Sequence, residues 1–187
     1  MGVSGSWKKT AMKNLLLSDK FEVVNTCTTR PMRPGEVNGD VYDFVSHEQF
    51  LQWIKEWDFV EYALVHQKYL YGTRKSRVFE VFAREKYALK EMEINGWEKV
   101  VEDPFTRAYC RSIFFNISDD LIEFRLRDRD PTIKEEEIQR RLLSAKKERN
   151  LAPQLCDFYF DVSECTRDEQ AHLVALALDQ IVLESDT

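Results

Sequence analysis

Apolar residues in this chain fall into short runs separated by longer stretches with helical spacing. Phe21 to Thr26 (FEVVNT), Tyr87 to Ile94, Ser112 to Ile117 (SIFFNI) and Phe158 to Val162 (FYFDV) are rich in β-branched and aromatic residues and predict strands. From Asp168 to Leu183 the leucines at 173 and 176 recur at helical spacing. Asp168 and Glu169 sit at the start, where the helix dipole favours acids, which predicts a closing helix. Trp53 and Trp57, at i and i+4 in EQFLQWIKEW, predict one packing face. The alternating charges from Lys134 to Glu148 predict a solvated helix, with Lys146, Lys147 and Arg149 as surface charges. Strands separated by helices predict an α/β fold: a three-layer, mostly parallel sheet with helices on both faces.

Composition narrows the class. With 187 residues, 43% of them hydrophobic, the chain can bury one core and hardly two, so a single domain over 1–187 is expected. A net charge of −6 argues against a nucleic-acid partner, which needs a basic face. The four cysteines form no CxxC pair and no apolar leader is visible, which predicts a reducing, cytoplasmic setting. No run approaches the roughly 18 apolar residues of a membrane span, so no membrane insertion is expected. His47, His66 and His172 lie far apart without metal-ligand spacing and are read as surface residues.

Chemistry concentrates in Thr28 to Phe44, TTRPMRPGEVNGDVYDF. Arg30 and Arg33 stand three residues apart on a loop stiffened by Pro31, Pro34 and Gly35, with Tyr42 following. Two guanidinium forks that keep their charge suit a phosphate gripped from two directions. The string resembles the GMP-binding segment of guanylate kinases and of the guanylate-kinase-like domains of scaffold proteins, whose pattern is TTRxxRxGEvnGxdYxF.

The opening MGVSGSWKKTAMKNLLL is similar, without a gap, to that family's phosphate-binding loop GPSGSGKSTLLKxLL. Gly2, Gly5, Ser6, Lys8 and Thr10 match, and the resemblance implies that they bind ATP. In such a loop, successive backbone N–H groups and the following helix N-terminus cradle phosphate. Two positions depart from the pattern. Trp7 replaces a glycine, and the expectation is an indole that obstructs the cradle or forces another backbone path. Lys9 replaces the hydroxyl residue that would ligate magnesium, and an ammonium has no lone pair to offer. The sequence also opens at the loop itself, so the apolar first central strand of the family is absent from it. The expectation is either a shortened product or fragment, or a sheet built around a gap, each lost buried side chain removing about 1.5–3 kcal/mol.

On the acceptor side the resemblance implies that Arg30, Arg33, Tyr42 and Tyr71 clamp the GMP phosphate while Thr26, Glu61, Thr73 and Glu93 read guanine. Guanine offers N1–H and a 2-amino group as adjacent donors, which a carboxylate accepts in pairs; adenine does not. The segment from Glu61 to Tyr71 is one residue longer than in typical kinases, which leaves Tyr71 the less secure match. ALKEMEING stands where the family has a buried strand ending LDIDvqG, so Glu91 takes the place of the aspartate near magnesium. RLRDRDPTIKEEEIQRRLL resembles the mobile lid, and Arg129 and Arg141 take the positions of arginines that, with Lys8, act on the transferring phosphoryl group.

The resemblance implies a P-loop nucleotide kinase core with a GMP-binding excursion over 27–76 and a lid over 118–150. It implies a retained GMP site, with the family reaction ATP + GMP to ADP + GDP, supported by Mg2+, weak or lost because of Trp7 and Lys9. The alternatives are a fully active guanylate kinase and a scaffold module that uses the GMP site for phosphorylated peptides.

Overall fold

The computed structural model describes residues 1–65 and 68–185. In chain order its elements are α1 (Lys8–Leu15), β1 (Phe21–Val23), β2 (Thr26–Thr28), β3 (Tyr42–Phe44), α2 (His47–Lys55), β4 (Phe59–Val65), β5 (Tyr69–Arg74) and α3 (Lys75–Phe82). They continue with β6 (Tyr87–Leu89), α4 (Ile94–Glu102), α5 (Pro104–Ala108), β7 (Ile113–Asn116), α6 (Asp119–Arg129), α7 (Glu135–Leu155), β8 (Phe158–Asp161) and α8 (Arg167–Ser185). The chain forms two compact units: residues 1–15, 91–94 and 107–187, and residues 16–90 with 95–106.

In the first unit β7 and β8 pair in parallel, Ile113 opposite Phe158 through Asn116 opposite Asp161. Met1 to Val3 run alongside: the Phe115 N–H donates to the Met1 carbonyl and the Val3 N–H to the Phe115 carbonyl, each at 3.1 Å. These three residues fix the phosphate-loop segment to β7. Gly2 has no room for a side chain there, since a Cβ would stand 2.4 Å from the Phe115 carbonyl oxygen. The core is made by Val3, Phe114, Ile117, Ile122, Leu126, Ile138 and Val162. Ser118 caps α6 by accepting from the Leu121 N–H, and Asp119 and Asp120 fill its first turn, as the dipole favours.

In the second unit β1 pairs in parallel with β6, and a separate four-stranded sheet runs in the order β3, β2, β5, β4. There β2 pairs in parallel with β3 but antiparallel with β5, as does β4. This mixed sheet lies within the stretch 27–76 and its neighbours, and packs Cys27, Phe59 and Leu70 on Phe50 of α2. The rings of Phe50 and Phe59 stack at 4.5 Å.

Three expectations from the sequence change. The run from Tyr87 to Ile94 is a strand only as far as Leu89; residues 90–93 leave it and α4 begins at Ile94. Trp53 packs on the Phe50 cluster, whereas Trp57 is 82% exposed and adopts a φ of 58°, because it turns the chain out of α2 rather than continuing its face. Arg149 is not a surface charge: it donates from Nε to Asn116 Oδ1 at 2.8 Å and pairs with Asp119, tying α7 to the end of β7. His47 and His172 are exposed, and His66 lies outside the described residues. Among the described residues no helix is long and apolar enough to cross a membrane. The four cysteines are free thiols, and burial pushes Cys27 up to about 12.

Candidate functional site

The first unit carries a loop in which the carbonyls of Gly2, Val3, Gly5 and Ser6 accept from protein donors. Lys8 Nζ donates to the carbonyls of Gly2 at 2.7 Å and Val3 at 2.9 Å. Arg125 Nη1 donates to the Gly5 carbonyl at 2.7 Å, and Gln170 Nε2 to that of Ser6 at 2.9 Å. The buried Ser6 hydroxyl closes the turn on Val3 at 2.9 Å. Among the described residues the N–H groups of Ser4, Gly5, Lys8 and Lys9 find no acceptor. Carbonyls held inward and amides left open at the start of a helix make an anion cradle. Gly5, at φ 79°, supplies the left-handed turn that this path requires.

Trp7 holds a backbone conformation that an L-residue rarely adopts. It takes φ 55°, the left-handed conformation that glycine adopts freely, and its indole lies under the Arg125 guanidinium at 3.5 Å. Burial lowers the Lys8 ammonium below its ordinary range, against the pull of Glu91, Glu148 and Glu93. Arg141 reaches the loop, with Nη1 donating to Ser4 Oγ at 3.1 Å while Nε binds Glu137 at 2.7 Å. Arg129 is exposed at the end of α6, away from any hydrogen bond among the described residues. Thr10 donates its N–H to the Trp7 carbonyl at 2.9 Å as α1 begins.

The residues at the magnesium position do not fit that ion. Lys9 is exposed and offers only donors, the Thr10 hydroxyl lies one residue further round the helix, and Glu91 is exposed. Among the described residues no three His, Cys, Asp or Glu side chains converge on a metal position.

In the second unit Arg30 is only 7% exposed and makes a bidentate pair with Glu36, both contacts at 2.8 Å. Nη1 also donates to the Pro31 carbonyl at 2.8 Å. Of the five guanidinium N–H groups, the Nε–H and one on Nη2 remain for Tyr71 or a ligand. The guanidinium lies against the rings of Tyr42 and Phe44, 5.3 and 5.1 Å from their centroids. Tyr71 meets Tyr42 edge-on at 6.1 Å, so the longer segment before it does not displace it from Arg30 and Tyr42. The paired guanidinium and the Arg33 N–H hold the Glu36 carboxyl down at about 2. The Arg33 backbone N–H donates to Glu36 at 2.7 Å, while its guanidinium is exposed and engages no partner among the described residues.

Glu61 and Thr73 face each other across β4 and β5, and the buried Thr73 hydroxyl donates to Glu61 Oε1 at 2.7 Å. Gly72 makes this register possible, because a Cβ there would lie 2.8 Å from the Phe59 ring and 2.9 Å from the Glu61 carbonyl oxygen. Thr26 accepts at 2.5 Å from Lys90 Nζ, which also donates to the Val24 carbonyl at 3.1 Å. Lys90 thus holds one candidate guanine contact in place, a role hidden in the sequence because the run was read as strand. Glu93 belongs to the unit that carries the loop and is exposed.

A phosphate cradle on one unit and an arginine–tyrosine cluster beside a Glu–Thr pair on the other agree with what the chain matches. The guanylate kinase family model covers residues 1–178. A guanylate kinase of Clostridium tetani is 40% identical over 152 residues, 80% of this chain and 70% of that one. One of a Nostoc species is 36% identical over 177 residues, 94% and 84% of the two chains. The fold matches the crystal structure of guanylate kinase from Anaplasma phagocytophilum with a TM-score of 0.66 at 24% identity, over 92% of this chain and 80% of that chain. With its family pattern running through both units, the chain belongs to the guanylate kinase family.

Proposed function

We propose that the protein binds GMP and transfers a phosphoryl group to it from ATP, with a donor step slowed by Lys9. The cluster of Arg30, Tyr42 and Tyr71 carries this reading. A buried guanidinium fixed by Glu36, faced by Tyr42 and Phe44 and with Tyr71 edge-on to Tyr42, is prepared to receive a phosphate with little reorganisation. Arg33, exposed and unengaged among the described residues, supplies the second fork from across the ligand. Glu61 accepts the paired donors of guanine, supported by Thr73 and Thr26, with Glu93 as a further proposed contact.

On the donor side Lys8 and Arg141 stabilise the negative charge spread over the transferring group, and the open amides hold the phosphates behind it. Arg129 acts in the same way from the lid. Coupled ADP release with GMP, ATP and magnesium tests the reading. The expected turnover lies below the roughly 10 per second of a median enzyme and requires GMP. ADP release indifferent to GMP would overturn it.

A further inference from the structure

The position that ought to bind magnesium carries a cation instead. Lys9 stands exposed on the first turn of α1, and among the described residues it makes no ion pair or hydrogen bond. The charge of Lys8, by contrast, is partly answered by Glu91, Glu148 and Glu93. In the loop that precedes Lys9 the carbonyls of Gly2, Val3, Gly5 and Ser6 are occupied by Lys8, Arg125, Gln170 and the Ser6 hydroxyl, while the amides of Ser4, Gly5, Lys8 and Lys9 are open. A site of this kind attracts bare phosphate oxygens. A divalent ion already bound to those oxygens would meet an ammonium at close range and be repelled by it.

We propose that the donor loop takes a nucleoside triphosphate as the free anion, with the Lys9 ammonium supplying counter-charge where a hydroxyl would have held a metal. This rests on the donor reading of the loop given above. It makes metal-free ATP a ligand in its own right and magnesium a competitor with Lys9 for the same oxygens.

Calorimetric titration of the full chain with ATP, in EDTA and again in excess magnesium chloride, tests it, with a GMP titration run on every sample. The wild-type protein is expected to bind ATP in EDTA at least as tightly as with magnesium. Lys9→Ser should weaken binding in EDTA about tenfold or more and bring in a gain on adding magnesium, while Lys9→Arg keeps the wild-type pattern. Lys9 is exposed, so these variants fold; unchanged GMP affinity verifies it. Tightening of wild-type binding by about tenfold on adding magnesium would overturn the proposal and leave the kinase reading standing. So would a Lys9→Ser variant that binds ATP in EDTA like the wild type. Absence of ATP binding in both buffers with GMP binding intact would overturn the proposal and the donor half of the reaction together.

Discussion

The indole of Trp7 and the guanidinium of Arg125 stack at 3.5 Å, and the same guanidinium donates to the Gly5 carbonyl two residues earlier in the loop. One arginine on α6 therefore braces the loop at two points. The stack also offsets a strain. A left-handed backbone costs an L-residue about 1–2 kcal/mol, and a cation–π contact returns about 0.5–2 kcal/mol depending on its exposure.

This relationship predicts an order of stability that differs from ordinary truncation. Trp7→Gly loses the stack and the strain together and should change unfolding free energy by less than about 1 kcal/mol. Trp7→Ala loses the stack and keeps the strain, so it should be less stable than Trp7→Gly by about 1 kcal/mol. Urea titration of the three proteins measures the difference. An alanine variant as stable as the glycine variant would show that the backbone at residue 7 is not left-handed.

On the proposed reading, base selectivity follows from Glu61. In a thermal titration GMP should raise the midpoint and an equal concentration of AMP should leave it nearly unchanged, since only a ligand that prefers the native state stabilises it. Glu61→Gln removes the carboxylate proposed to accept both guanine donors but leaves an oxygen for Thr73. It should weaken GMP about tenfold or more and leave AMP where it was. Equal midpoint shifts by GMP and AMP in the wild type would refute the assignment of Glu61.

How much of this was legible beforehand differs between the two units. The arginine–tyrosine cluster lies in one contiguous string that the family resemblance singled out, and the structure brings Arg30 and Tyr42 of it together while the Arg33 guanidinium stands exposed. The donor loop was equally legible in position, but the stack of Trp7 on Arg125 was not, because nothing in the sequence links the two residues, 118 positions apart. Arg149 and Lys90 were missed for the same reason. Each is a charged residue in a stretch whose local pattern describes a solvated helix or a strand, and its buried partners come from distant segments. The antiparallel part of the second unit also lay beyond the pattern, since burial along β4 and β5 does not alternate residue by residue as a strand read from sequence would need.

Acid should weaken the acceptor loop, together with the other carboxylates of that unit held below their ordinary range, Glu22, Glu48 and Asp58. Glu36 is held at about 2, against an ordinary value of 4.5, by the hydrogen bonds from Arg30. A carboxylate depressed in the folded state contributes its stability above the unfolded value and loses it as the pH falls from about 4.5 towards 2. The thermal midpoint should fall across that window, and Glu36→Gln should flatten part of the fall while lowering the midpoint at neutral pH. Glu137, also held at about 2 by Arg140 and Arg141, contributes in the same window and leaves a residual slope in the variant. An unchanged slope in Glu36→Gln would mean that the Arg30 pair does not persist in solution.

Turnover offers the sharpest separation between the two departures from the family loop. If Trp7 were the obstacle, Trp7→Gly would restore catalysis; but Trp7 already holds the conformation of glycine, and its indole is stacked on Arg125. On the proposed reading the slow step is then assigned to Lys9, which cannot ligate a metal whatever the backbone does. Lys9→Ser assayed with GMP, ATP and magnesium should therefore raise turnover by at least about tenfold, or about 1.4 kcal/mol of barrier, and Trp7→Gly alone should not. The double variant should match Lys9→Ser, because residue 7 contributes nothing further once the hydroxyl is present. A rise with Trp7→Gly alone would place the block in the indole. A double variant that exceeded both singles together would show that the two residues act as one unit, and that the brace on Arg125 limits how closely the loop meets phosphate.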